Sequence, residues 1–217
     1  MTNRYHNPDD LPQTLPVFPL SGVLLLPRGN LPLNVFEPRY LAMVDMALAS
    51  TRLIGLIQPA EAEENVLKPK LSAVGCAGRI TAYRETEDNR YLITLTGVCR
   101  FRVVGELDIA TPYRQVKPDF APFAGDLVQG DDADFPRERL LSALKSYLSQ
   151  RDLKADWRSV MSAPPETLVN ALAMLCPFQP AEKQALLEAP GWQERVATLV
   201  ALLEIAGNES GGTPTLN

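Results

Sequence analysis

Between Leu15 and Lys117 the hydrophobic and polar positions follow the period of β-strands, interrupted once by the period of a helix. "LPVFPL" and "GVLLLP" are short apolar runs broken by Pro19, Gly22 and Pro27, a proline density that suits edge strands and strand ends. "RLIGLIQP", Arg52 to Pro59, is a strand stopped by proline, and the polar "AEAEENVLKPK" that follows it reads as a loop. Two longer strand segments follow, "LSAVGCAGRITAYRETED" and "NRYLITLTGVCRFRVVGEL". In the second, Tyr91, Ile93 and Leu95 alternate with Leu92, Thr94 and Thr96. The join "ETEDNR", with its Asp88-Asn89 pair, predicts a hairpin turn. Gly75, Gly78, Gly97 and Gly105 inside strand patterns predict bulges or sharp bends in a strongly curved sheet, and "TPYRQVKPDF" supplies a last strand.

The helical interruption starts in "FEPRY". Pro38 fits a first helical turn, where its missing N–H costs nothing, and Tyr40, Leu41, Val44, Ala47 and Leu48 then recur at helical spacing. Glu37 falls at the helix N-terminus, where free N–H groups and the helix dipole favour a carboxylate. Phe36 and Tyr40 are expected to anchor in the β core while Glu37 and Arg39 fix the helix start, making the corner a join between elements instead of a catalytic cluster.

After residue 120 the pattern changes. "APFAGDLVQGDDADFP" is acidic and rich in Gly and Pro, as in a linker, and everything beyond reads as helix. Leu140, Leu141, Leu144, Tyr147 and Leu148 form one apolar stripe. Leu168, Val169, Leu172 and Leu175 form another, started by Pro164-Pro165. "PAEKQALLEA" is a third helix, and Trp192 to Gly207 a fourth. Helices this short hold together only by packing on one another. The resulting division is a flexible tail over 1–13, a β domain over 14–120, a linker over 121–136, a helical bundle over 137–207 and a disordered tail over 208–217. The fold class is α+β.

Composition narrows the function. The 217 residues are 46% hydrophobic and 22% charged, ordinary for a globular protein, and the net charge of −5 disfavours nucleic acid as a partner. No apolar run is long enough to span a bilayer, and the polar N-terminus lacks a signal-peptide core. Three scattered cysteines, Cys76, Cys99 and Cys176, predict reduced, buried thiols in a cytoplasmic protein.

Catalytic signals are missing. The single histidine, His6, lies in the polar N-terminal tail, and there is no C-x-x-C, H-E-x-x-H, phosphate-binding glycine loop or nucleophile elbow. No catalytic residue, metal ligand or cofactor is therefore assigned. The acidic residues Glu61, Glu63, Glu64, Asp131, Asp132 and Asp134 fall in expected loops, as solvated faces do. Two alternatives stay open. Carboxylate-based hydrolysis would need a pocket holding two acids with converging donors. RNA binding would use Arg79, Arg84, Arg90, Arg100, Arg102 and Arg114 interleaved with Tyr83, Tyr91, Phe101 and Tyr113; the opposing reading places the aromatics in the core and the arginines outside.

The run "LPVFPLSGVLLLPRGNLPLNVFEPRYLAMV" resembles the start of the Lon protease N-terminal domain, the substrate-recognition part of that ATP-dependent protease. Phe18-Pro19-Leu20, Leu26-Pro27, Pro32-Leu33 and Phe36-Glu37-Pro38-Arg39-Tyr40 carry the likeness; Arg28 stands where glycine is commoner, with Gly29 just after. "GRI", "LTGVCRFRV" and "EKQALLEAPGWQER", which includes Lys183 and Gln184, are similar to later family segments. The resemblance, over about residues 14 to 207, implies a PUA-like β pseudo-barrel with one inserted helix, followed by a helical bundle. It further implies a stand-alone, non-catalytic protein- or peptide-binding module of bacteria, without the ATPase and Ser–Lys protease. The partners it implies are unfolded or exposed apolar protein segments, including Lon or Lon substrates, and it leaves a homodimer open. Leu31, Leu33, Phe120 and Phe123, apolar residues in expected loops, are the candidate peptide contacts.

Overall fold

The computed structural model describes residues 5–60, 68–128 and 135–208. Glu61, Glu63, Glu64, Asp131, Asp132 and Asp134, the flexible tail as far as Arg4, and the C-terminal tail beyond Asn208 lie outside the described residues. The described tail residues from Tyr5 are not loose: Tyr5 and Leu11 are buried in the core, around a short 3-10 turn at Pro8–Asp10.

Strand alternation builds the first half of the molecule. The strands are β1 (Leu15–Pro19), β2 (Asn30–Val35), β3 (Leu53–Pro59), β4 (Leu71–Glu85), β5 (Tyr91–Glu106) and β6 (Arg114–Asp119), ordered β2-β5-β4-β3-β1-β6. β1 runs parallel to β3 and every other pair is antiparallel. Because β6 pairs with both β1 and β5, the pairings β1–β3–β4–β5–β6–β1 return to their start, in the manner of the expected pseudo-barrel. β2 lies outside this circuit, on the other edge of β5. β5 serves three neighbours, β2, β4 and β6. Its register slips against β4 between Ala77 and Gly78 and between Ile80 and Ala82, and against β6 between Val103 and Gly105, so that two of the slips fall at glycines expected to mark bends. The β4–β5 turn forms where expected, with Asn89 at φ 58 and the Thr86 amide donating to the Arg90 carbonyl at 2.9 Å.

The expectation for "GVLLLP" fails. Leu24, Leu25 and Leu26 are all buried, so they do not alternate, and the segment threads into the core as irregular chain. Its end is clamped to β5: Arg28 N–H donates to the Gly97 carbonyl and Gly97 N–H to the Gly29 carbonyl, both at 2.8 Å. A Cβ at Gly97 would lie 2.0 Å from the Leu26 carbonyl oxygen, so only glycine admits this approach. The strand forms later, as β2.

α1 (Pro38–Leu48) begins where expected and buries Tyr40, Met43, Val44 and Ala47. The expected linker does not behave as one over its first half. Ala121–Leu127 is a 3-10 segment that buries Phe123, Asp126 and Leu127. Phe120 packs edge-on against Phe101 of β5, their centroids 6.1 Å apart. The apolar content of "FAPFAGDL" outweighs its loop-like Gly and Pro. Beyond it stand α2 (Arg137–Gln150), α3 (Trp157–Ser162), α4 (Pro165–Leu175), α5 (Pro180–Glu188) and α6 (Trp192–Asn208). The helix Trp157–Ser162 was not foreseen; it has no buried residue, so it lacks the periodic apolar face that marks the others. A single hydrophobic cluster runs through both halves.

Candidate functional site

The "FEPRY" residues join β2 to α1, with two corrections to the expectation. Glu37 is the N-cap of α1, and its carbonyl accepts from the Tyr40 and Leu41 amides at 2.9 and 3.0 Å. Its carboxylate caps nothing and pairs with Arg39 at 2.8 Å, in solvent. Tyr40 is buried, its ring 4.2 Å from that of Phe18, with the Arg39 guanidinium 4.5 Å from its centroid. Phe36 does not anchor in the core: it is 60% exposed, with the Arg90 guanidinium 5.7 Å over its ring. The cause is parity, since Val35 takes the inward position at the end of β2 and the next side chain must point the other way.

Lys183 and Gln184 fasten the helices to the sheet. Lys183 Nζ, buried without a carboxylate, donates to the carbonyls of Gly22 (3.0 Å) and Met174 (3.2 Å); burial lowers its pKa. Gln184 Nε2 donates to the Val74 carbonyl at 3.0 Å, and its Oε1 accepts from Gln58 Nε2 at 3.1 Å. Gln58 in turn donates to the Pro180 carbonyl and accepts from the Gly22 amide. The tight turn at Gly22, φ 70, is thus held by both halves of the molecule.

The residues expected to contact peptides face inward. Leu31 and Leu33 occupy the half-buried positions of β2 and pack against the core, while Phe120 and Phe123 are buried. What reaches solvent is the opposite face of β2, β5 and β4. Pairing places Pro32 beside Thr94 and Thr94 beside Ala82, and the next outward row is Asn34, Leu92 and Arg84. Together with Leu33, Ile93 and Tyr83 they line a shallow depression of about 460 Å³. Leu92 is 39% exposed there, and Phe36, beside Arg90, continues the face past the end of β2. One sign of this surface was readable in the sequence: Leu92 is the apolar member of an otherwise polar outward row with Thr94 and Thr96.

A second concavity, about 320 Å³, lies where the 3-10 segment meets the start of α6; Arg28, Arg100, Asp126, Glu166, Gly191 and Arg195 are among its lining residues. Arg28 Nε reaches both Glu166 oxygens at 2.7 and 2.8 Å, and its Nη1 donates to the Asp126 carbonyl. Arg100 forms a buried two-point ion pair with Asp126, Nε to Oδ2 and Nη2 to Oδ1 both at 2.8 Å; its Nη1 donates to the carbonyls of Leu187 and Ala189. Arg195 is 4% exposed, and burial, reinforced by Arg100, pushes its pKa down to about 10. None of this was foreseen, because the contributing residues come from a loop, β5, an expected linker and two helices.

This cleft holds two acids, the condition set for carboxylate chemistry, but each is engaged by a guanidinium fork. That pairing leaves neither as the free proton acceptor such chemistry requires. The three thiols are free and buried, and burial raises each, Cys99 to about 12 and Cys176 to about 11. Among the described residues no cluster of three metal-ligating side chains occurs, and no helix is long and apolar enough to cross a membrane. The interleaved arginines and aromatics do not share a face. Phe101 and Tyr113 are buried, Tyr83 and Tyr91 pack edge-on against each other, Arg100 is buried, and Arg114 is engaged by Glu106 and the Pro69 carbonyl.

Residues 14–204 match the family model of the ATP-dependent protease La (LON) substrate-binding domain. Lon protease 2 of Myxococcus xanthus is 26% identical over 200 residues, spanning 91% of this chain but 24% of that protein. Lon protease 2 of Bdellovibrio bacteriovorus is 34% identical over 95 residues, 43% of this chain and 12% of that one. The chain thus spans at most about a quarter of the length of these curated relatives. A Lon N-terminal domain protein from Xanthomonas campestris superposes with a TM-score of 0.57 at 24% identity, covering 87% of this chain and 97% of that one. The N terminal domain of Mycobacterium avium complex Lon protease gives 0.61 at 15% identity, covering 88% and 97%.

Proposed function

The chain belongs to the ATP-dependent protease La (LON) substrate-binding domain family, and from that premise we propose that it is a non-catalytic module that binds exposed apolar segments of other polypeptides. One observation carries the choice of surface. Phe36 and Leu92, 60% and 39% exposed, stand on the outward side of the β2–β5–β4 edge with Pro32 and Ala82, rimmed by Arg84 and Arg90. Exposed apolar groups arranged on a rigid sheet and flanked by polar ones are what an apolar peptide segment needs to desolvate against. The bound segments would be unfolded stretches of Lon substrates or of Lon itself, met in the cytoplasm, where free thiols persist.

The test is fluorescence anisotropy of a labelled, permanently unfolded model polypeptide titrated with the whole protein. Phe36→Ser combined with Leu92→Ser removes two exposed side chains without entering the core. The reading expects saturable binding, weakened about tenfold or more by the double substitution, since each anchor contributes roughly 1–2 kcal/mol. Binding unchanged in the double variant refutes the surface, and no binding by the folded parent protein refutes the function. RNA binding would show instead as an affinity that falls steeply with salt.

A further inference from the structure

We infer that the cleft between the 3-10 segment and the start of α6 binds an oxyanion, a phosphate or a carboxylate, with Arg195 as its principal donor and Arg28 at its mouth. The inference does not depend on the apolar face described above.

The cleft carries an excess of positive charge. Arg28, Arg100 and Arg195 line the cleft with Asp126 and Glu166, three guanidinium groups against two carboxylates. The carboxylates are already committed, Glu166 to Arg28 and Asp126 to Arg100. Arg195 is left with one bond, Nε to the Leu186 carbonyl at 3.2 Å, while its buried Nη2 has no partner among the described residues. A guanidinium cannot escape burial by losing its proton near neutral pH, and a buried unpaired charge is among the costliest features a fold can retain. A bound anion supplies the missing counter-charge.

The surroundings supply the rest of a receptor. Pro190, Gly191 and Trp192 line the cleft at the start of the helix Trp192–Asn208, whose first turn carries Glu194 and whose N-terminal amides and dipole favour negative charge. Arg28 also lines the cleft and, with its side chain 38% exposed, stands at the mouth. Planar guanidinium forks match the paired oxygens of phosphate and carboxylate. A cleft of about 320 Å³ admits either group.

Calorimetric titration of the whole protein with inorganic phosphate, and separately with acetate, against sodium chloride at equal ionic strength, tests the assignment. Saturable heat with either oxyanion and none with chloride is the expected result. A response to phosphate alone points to free or esterified phosphate as the source, and one to acetate alone to a carboxylate. Arg195→Lys, which keeps the charge and loses the fork, should weaken binding about tenfold, and Arg195→Met should abolish it. Should Arg195→Met not fold, the Arg195 Nε–H resonance of the unaltered protein gives a second readout: a saturable shift with phosphate or acetate supports the site. Absence of saturable binding to both anions, or binding undiminished by Arg195→Met, or an Nε–H resonance that stays in place, overturns it.

Discussion

Asp126→Ala isolates the electrostatic cost at the junction of the two halves. The Asp126 carboxylate accepts from Arg100 Nε, Nη2 and backbone N–H at 2.8, 2.8 and 2.9 Å, with both residues buried. Removing it leaves Arg100 charged in a low-dielectric site beside Arg195, whose own pKa is already depressed by burial and by Arg100. Two carbonyls, Leu187 and Ala189, and the Phe123 ring 4.6 Å below the guanidinium remain, but none carries a full negative charge. Losing one partner of a buried pair costs about 3–5 kcal/mol, and for a chain of this length that lowers Tm by about 6–20 °C. Thermal and urea denaturation followed by circular dichroism measure it. Adding Arg100→Met removes the stranded charge and should recover at least about half of the loss, since apolar replacement of a whole buried pair is often near neutral. A single-variant cost below about 1 kcal/mol, the scale of a surface pair, would refute this account. So would a double variant no better than the single.

Gly97→Ala puts a methyl 2.0 Å from the Leu26 carbonyl, a backbone atom that cannot swing aside; a loss of roughly 3 kcal/mol or more, or failure to fold, is expected in the same denaturation assay. Tyr147→Phe should stabilise by about 1 kcal/mol, because the buried hydroxyl has no partner among the described residues while the ring stays packed near Phe178; a loss of stability would count against the reading. The thiols give a pH dependence. Burial raises Cys99 to about 12 and Cys176 to about 11 from an ordinary 9.0, so above pH 9 the unfolded chain releases protons that the folded one keeps. Stability is therefore intact below pH 9 and falls as pH rises towards 11 and 12, by up to about 1.4 kcal/mol per pH unit for each thiol; a flat profile in urea melts from pH 8 to 11 would contradict this. Under native conditions at pH 8, all three should also resist a thiol-labelling reagent that modifies them in denaturant.

Where neighbouring residues decided the outcome, the chain was readable. The alternation from Tyr91 through Leu95, the Asp88-Asn89 turn, Pro38 opening a helix and the proline-started helices all express preferences of local backbone and side-chain period, and each appears in the structure. Where burial depended on what lay opposite, local signals misled. "GVLLLP" has strand composition but threads the core without alternation, and "FAPFAGDL" has loop composition but is packed under β5. Phe36 went wrong by a single step of parity, enough to move a side chain from core to solvent.

The amino-acid sequence by itself thus determined most of the element types, the β-then-α order and, through the "FPL", "FEPRY" and "EKQ" segments, the family. It could do so because periodicity and short motifs are properties of residues close along the chain. Tertiary structure alone decided the closure of the sheet through β6 and the fastening of Gly22 by Gln58 and Lys183. It alone also gathered Arg28, Arg100 and Arg195 around one cleft. Those residues are tens to more than a hundred positions apart. Their charge and hydrogen-bonding capacity are plain in the sequence, but which group each one meets is set only when the two halves pack together.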